Sequence, residues 1–145
     1  MGIRRAHRAG GVEVTIPQDI GGGCGHLIRA ILDQTPEARG IVFDQAHVAK
    51  GALPHDRLTI QAGSLFIDPL LEADCYVMSD IVHDWADDEA RAILRAARQA
   101  AATDLTLLLM EFVVPEDDGD FEATDIDIDI DMLILVAGRE RTERE

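Results

Sequence analysis

Asp19-Ile20-Gly21-Gly22-Gly23-Cys24-Gly25-His26 is the stretch whose reading decides the fold of this chain. Four glycines in five positions follow a β-rich run, and the missing Cβ atoms permit φ > 0 and close approach by a ligand. Leu27, Ile28, Ile31 and Leu32 then recur at helical spacing, predicting a helix over residues 25–34. Its free N–H groups and positive dipole end face whatever the glycines cradle, which favours a phosphate or carboxylate. The dinucleotide fingerprint G-x-G-x-x-G needs a third glycine, and counting from Gly21 or from Gly23 that position holds His26 or Ile28. A P-loop is excluded because no Gly-Lys-Ser/Thr follows. A purely structural turn before a helix is the other reading of the glycines.

Outward from this loop the text alternates strand and helix. Residues 12–20 are β-rich and partly alternating, so they form the first strand, with Pro17 limiting how much of it pairs centrally. Pro36 and Gly40 close the first helix unit, and Ile41-Val42-Phe43 is a short buried strand ending at Asp44, the βαβ rhythm of a parallel sheet. Asp44 follows Gly25 by nineteen residues, about where α/β nucleotide folds place an acid for the ribose hydroxyls. Its other reading is the N-cap of a helix over residues 45–50. Residues 58–62 and 75–79 are the third and fourth strands. A helix with Ile93, Leu94 and Ala97 on one face follows, capped by the acids at 87–89. Residues 105–114 read as a fifth strand interrupted by Glu111, whose carboxylate would cost several kcal/mol there unless paired. Residues 125–131 alternate Asp and Ile, which on period alone is a half-buried strand.

Composition bounds the possibilities. A chain of 145 residues, 47% hydrophobic and 28% charged, fits one globular domain. Residues 1–11 are basic and lack periodicity, and read as a disordered lead-in to a domain over residues 12–145. The net charge of −15 repels phosphate backbones and argues against nucleic-acid binding. Cys24 and Cys75 are too few for a disulfide framework or a zinc site, so no metal centre is expected and a reducing cytoplasm is the default compartment. No apolar run approaches the roughly 18 residues of a spanning helix, and neither signal peptide, membrane anchor nor myristoylation signal is read.

The glycine loop and four further motifs carry a family resemblance. Ile81-Val82-His83-Asp84-Trp85-Ala86-Asp87-Asp88-Glu89 strongly resembles the H-D-W-x-D-E signature of the S-adenosylmethionine-dependent small-molecule O-methyltransferases of the caffeate and hydroxyindole type. The glycine loop, D-x-G-G-G-x-G, resembles their motif I. Gly138-Arg139-Glu140-Arg141-Thr142 resembles their G-G-x-E-R-T, with Ala137 replacing one glycine. Asp131-Met132-Leu133 before it resembles the D-L-x-M-L helix, which favours helix over strand at that end. Gly63-Ser64-Leu65-Phe66 matches a G-D-F-F turn only in part, because Ser64 stands where the family has an acid.

The resemblance covers roughly residues 16–143. It implies an α/β, Rossmann-like class I methyltransferase sheet, truncated to about five parallel strands with flanking helices and lacking the last two of seven. It also implies that the family's N-terminal helical domain, which makes the homodimer and closes the substrate pocket, is absent. By resemblance His83 is the general base, flanked by Glu111 and Glu140. Asp19, Gly21, Gly22, Gly23, Gly25, Asp44, Ser64, Phe66, Ser79 and Asp84 would bind S-adenosylmethionine, and Trp85 and Met132 a small hydroxylated substrate. Asp84 could instead cap its turn, Met132 could belong to the core, and His83 alone could be a hydrogen-bonded histidine at a strand end. Competing with a catalytic core are a cofactor-binding remnant acting by association and an NAD-dependent oxidoreductase, the latter opposed by the missing third glycine.

Overall fold

The computed structural model describes residues 7–8, 11–12, 16–101, 106–115, 133–136 and 138–145. Its centre is a sheet of five parallel strands: β1 (Pro17–Ile20), β2 (Gly40–Asp44), β3 (Leu58–Ala62), β4 (Cys75–Ser79) and β5 (Thr106–Met110). They lie in the order β3-β2-β1-β4-β5. The chain steps outward from β1 through β2 to β3, then crosses back to lay β4 on the other side of β1. That reversal opens a crevice beyond the carboxyl ends of the central strands, where α/β sheets of this kind bind ligands.

Burial follows position in the sheet. β1 is buried along its whole length, and β4 up to its last residue, as parallel strands covered on both faces must be. The first strand is shorter than the sequence suggests: pairing begins at Pro17, opposite Cys75, because proline is tolerated at a strand's first residue. Gly11–Val12 instead pairs antiparallel with His7–Arg8, across the boundary between the lead-in read over residues 1–11 and the strand read from residue 12.

Helix α1 (His26–Gln34) buries Ile28 and Leu32, and α2 (Ala46–Ala49) is a single short turn after β2. Helix α3 (Asp87–Ala100) buries Ala90, Ile93 and Ala97 in a core with Ile20, Phe43, Tyr76 and Met78. The expected cap of α3 is corrected. Ala86 is the N-cap, no side chain caps it, and the acids 87–89 occupy its first turn instead, where they suit the positive dipole end. Glu111 likewise does not interrupt a strand, because β5 ends at Met110 and beyond it only Val113 makes an isolated bridge, to Arg141. Residues 133–136 are helical, in keeping with the family pattern, and the Asp-Ile repeat at 125–131 lies outside the described residues. No helix among the described residues is long and apolar enough to cross a membrane.

Candidate active site

The side chains singled out in the sequence come mainly from the carboxyl ends of the five strands. After β1 the chain turns sharply, with φ of 70° at Gly21, 58° at Gly23 and 81° at Gly25, values that favour glycine. Gly25 is the N-cap of α1. Gly22 lies against Asp19 so closely that a Cβ there would sit 2.6 Å from the carboxylate.

Asp19 is one of two buried acids among the described residues. It is 2% exposed, and its Oδ2 has no hydrogen-bond partner. Burial first, and the charge of Asp44 second, push its carboxyl up to about 6 against the opposing hydrogen bond from the Ile28 backbone. Asp44, at the end of β2, accepts the Gly23 N–H at Oδ2 (2.8 Å) and the Gln45 N–H at Oδ1 (2.6 Å). It does not cap α2, whose N-cap is Gln45 with no side-chain bond, so that reading is corrected. The carboxylate instead ties the glycine loop to β2.

Two cavities flank the loop. One, of about 350 Å³, brings together Gly21, Asp44, Ser64, Phe66, Asp84 and Trp85. The other, of about 380 Å³, is walled by Asp19, Gly21, Gly22, Gly23 and Ser79. Phe66 and Trp85 meet edge to face with centroids 4.8 Å apart, an arrangement their ring quadrupoles favour. Sequence reading missed Gln45, Leu65 and Ile81 in the first cavity and Cys24, His26 and Met110 in the second. It also missed Asp68, which accepts the Ser64 N–H at 2.8 Å and so brings a carboxylate to the turn where Ser64 replaces the family's acid. The signal was an aspartate four residues downstream. Gly25 lines neither cavity, and Met132 lies outside the described residues.

His83, like Glu111 and Glu140, lines neither cavity; it sits in a short 3₁₀ turn (Val82–Asp84) after β4, next in the chain to Asp84, which lines the first. Its Nδ1 donates to Glu140 Oε1 at 2.9 Å, with Glu111 Oε2 3.9 Å from the same nitrogen. Asp84 Oδ1 is 3.5 Å from Nε2. The histidine is 15% exposed and the Glu140 side chain 1%. Burial works to lower the imidazole pKa. The Glu140 hydrogen bond and the charges of Glu140, Glu111 and Asp84 outweigh it, so the net shift is upward from 6.5. Glu111 is held by the chain: its Oε1 accepts the N–H groups of Ile81 (3.0 Å) and Val82 (2.8 Å), so the pairing that a carboxylate needs comes from backbone. Asp80, His83 and Glu111 also place ligand atoms within 4.8 Å of one another, close enough to share a cation.

A parallel α/β sheet with a glycine loop at its switch point defines a nucleotide-cofactor fold, and past the end of β4 a histidine lies near two glutamates. The chain matches the O-methyltransferase domain family over residues 12–145, and it belongs to that family. It is 40% identical over 134 residues to phenazine O-methyltransferase PhzM of Lysobacter antibioticus, covering 88% of this chain and 39% of that protein. Its fold superposes on human N-acetylserotonin methyltransferase in complex with SAM with a TM-score of 0.81 at 29% identity, covering 88% of this chain and 38% of that one. The neocarzinostatin O-methyltransferase NcsB1, in complex with S-adenosyl-L-homocysteine and 1,4-dihydroxy-2-naphthoic acid, gives 0.77 at 33% identity, covering 90% and 40%. The chain thus spans about two fifths of the length of these relatives.

Proposed function

We propose that this chain is the S-adenosylmethionine-binding core of an O-methyltransferase that acts on a hydroxyl of a small, aromatic molecule, with His83 as general base. The observation that carries the reading is the His83–Glu140 pair, 2.9 Å apart with Glu111 alongside, on a turn whose next two residues, Asp84 and Trp85, line a cavity with Gly21 and Asp44. The residues present fit the cofactor. The buried Asp19 Oδ2 lacks a partner, so its carboxylate suits the cofactor's ammonium group. Asp44, with lone pairs left over after its two backbone bonds, suits the ribose hydroxyls.

Bound there, S-adenosylmethionine supplies an electrophilic methyl group. The protein's part is to position the acceptor and take its proton. With Nδ1–H engaged by Glu140, the lone pair of neutral His83 is at Nε2, the atom that would receive the substrate's hydroxyl proton. Moving a proton fully from a phenol to an ordinary imidazole costs about 5 kcal/mol, since their pKa values differ by roughly 3.5 units. The three carboxylates around His83 stabilise the imidazolium and narrow that gap, so proton removal accompanies attack. A base so placed contributes about 10²- to 10⁴-fold. Trp85 and Phe66 would present an aromatic wall to the ligand in the first cavity.

Calorimetry on the 145-residue chain should show binding of S-adenosylmethionine and of S-adenosylhomocysteine but not of NAD. Tight NAD binding would sink the proposal in favour of an oxidoreductase. In a chain competent for turnover, His83→Gln should lower methyl transfer at least about 10²-fold with cofactor affinity nearly unchanged. A second reading, binding without turnover, is favoured by the apolar side chains exposed at Leu107, Leu109 and Leu133–Val136, a surface suited to association. Cofactor binding with no methyl transfer to any hydroxylated aromatic would support it.

A further inference from the structure

The segment that supplies Glu140 does more than bring a carboxylate to His83. Arg141, next in the chain, is largely buried (16% exposed) and spreads its guanidinium across the turn that carries the histidine. Nη1 donates to the Val82 carbonyl at 3.0 Å and Nη2 to the Trp85 carbonyl at 2.9 Å, so the two bonds bracket His83 and Asp84. Nη2 also donates to Asp87 Oδ1 at 3.0 Å, which fixes the guanidinium to the first turn of α3. The Arg141 carbonyl accepts the Val114 N–H at 2.9 Å, joining the strand end that carries Glu111. The backbone completes the splint: Arg139 N–H donates to the His83 carbonyl at 2.9 Å, and a Cβ on Gly138 would stand 1.9 Å from that same oxygen. Three chain pieces bearing His83, Glu111 and Glu140 therefore converge on one residue, the first through its guanidinium and the second through its carbonyl.

We propose that Arg141 is a positioning residue that holds the His83 turn in register with Glu140, and this rests on the reading of His83 as the general base. Arginine suits the task because its planar fork reaches two carbonyls and a carboxylate at once, whereas lysine offers the same charge at a point. Small displacements of a catalytic group cost large factors in rate, so a fixed turn has a function beyond stability. Asp87, lying 42% exposed, anchors the arginine from outside.

The test reads the imidazole directly. On the ¹⁵N-labelled 145-residue chain, ring-nitrogen NMR against pH follows its five histidines, with His83→Gln assigning the signal of interest. His83 is faced by Asp84, Glu111 and Glu140, with Asp80 also in reach, and none of these is altered in Arg141→Lys. The expected wild-type spectrum has a neutral ring protonated at Nδ1 and a midpoint above 6.5. In Arg141→Lys the midpoint falls toward 6.5, the ordinary imidazole value. The Nδ1–H preference weakens, while the other histidines and S-adenosylhomocysteine affinity stay as they were. Asp87→Asn, a surface change that leaves the arginine in place, should move His83 the same way by less, and it serves if the lysine variant does not fold. Glu140→Gln separates the two layers. If it leaves the His83 midpoint in place, the His83–Glu140 pairing is wrong and the proposal falls with it. If Glu140→Gln lowers the midpoint but Arg141→Lys and Asp87→Asn do not, the pairing stands and the role of Arg141 alone is overturned.

Discussion

Replacing Asp19 by asparagine should stabilise the unliganded chain while weakening its hold on cofactor. The carboxyl is pushed from an ordinary 3.8 up to about 6 in the folded protein, mainly by burial. Between those two values the native state binds more protons than the unfolded chain, so this group's contribution to stability falls as pH rises through the window. At about 1.4 kcal/mol per unit, the ionised carboxylate costs about 3 kcal/mol at pH 7.5 and about 1.6 kcal/mol at pH 5. Asparagine has no such dependence. Its advantage over aspartate should therefore grow by about 1.4 kcal/mol between pH 5 and pH 7.5. In urea unfolding, with a slope of about 1–3 kcal/mol/M, that is a widening of roughly 0.5–1.4 M between the two midpoints. Comparing the change with pH cancels any constant cost of burying the amide. The same variant should bind S-adenosylmethionine at least about tenfold more weakly, as expected when a charged hydrogen-bond partner is removed. A stability gap that stays constant with pH would refute the reasoning, because it would mean that Asp19 is either solvated or paired in solution.

Asp44→Ala should weaken cofactor binding by about 1.5–3 kcal/mol in calorimetry, since it removes a charged acceptor that also ties down the Gly23 N–H; an unchanged affinity would leave Asp44 with only its loop-holding bonds. The raised pKa of His83 means that a base needed in its neutral form is less available in mild acid, so the initial rate should fall through a midpoint above 6.5 as pH drops, and Glu140→Gln should move that limb to lower pH. The β5 edge, with Leu107 at 38% and Leu109 at 46% exposure, is apolar and uncharged, so light scattering should show association that grows with protein concentration and with added salt, and Leu107→Lys should reduce it. A strictly monomeric chain in 0.5 M salt, where the Debye length is roughly 4 Å, would mean that this edge is covered.

The sheet was legible because its signals are local. The bounds read for the third and fourth strands, 58–62 and 75–79, are those observed, since each is a short apolar or β-branched run between turn residues. Where reading by period failed, a distant partner decided the outcome. The acids at the start of α3 fit a cap, yet Asp87 is drawn to Arg139 and Arg141, more than fifty residues away in the chain. Residues 105–114 read as one strand interrupted by Glu111, yet the ladder stops at Met110 and Val113 bridges to Arg141 instead.

The candidate site divides along the same line. The glycine loop and Asp44 announce themselves because their function is a matter of backbone shape and spacing within one βαβ unit, which a linear text records. The His83 cluster does not, for its meaning depends on two glutamates twenty-eight and fifty-seven residues downstream that only folding brings to the ring. Without a family pattern, Glu111 in an apolar run reads as a costly intruder. In the fold it is an acceptor for two backbone N–H groups, and its second oxygen is left facing the histidine. Neither glutamate could take its place alone: Glu111 would lack the hydrogen bond that orients Nδ1, and Glu140 would lack the neighbour whose charge helps to raise the imidazole. Basicity at this histidine is thus a property of the sheet's topology, which carries the ends of β4 and β5 side by side and leaves the 138–141 segment to close over both.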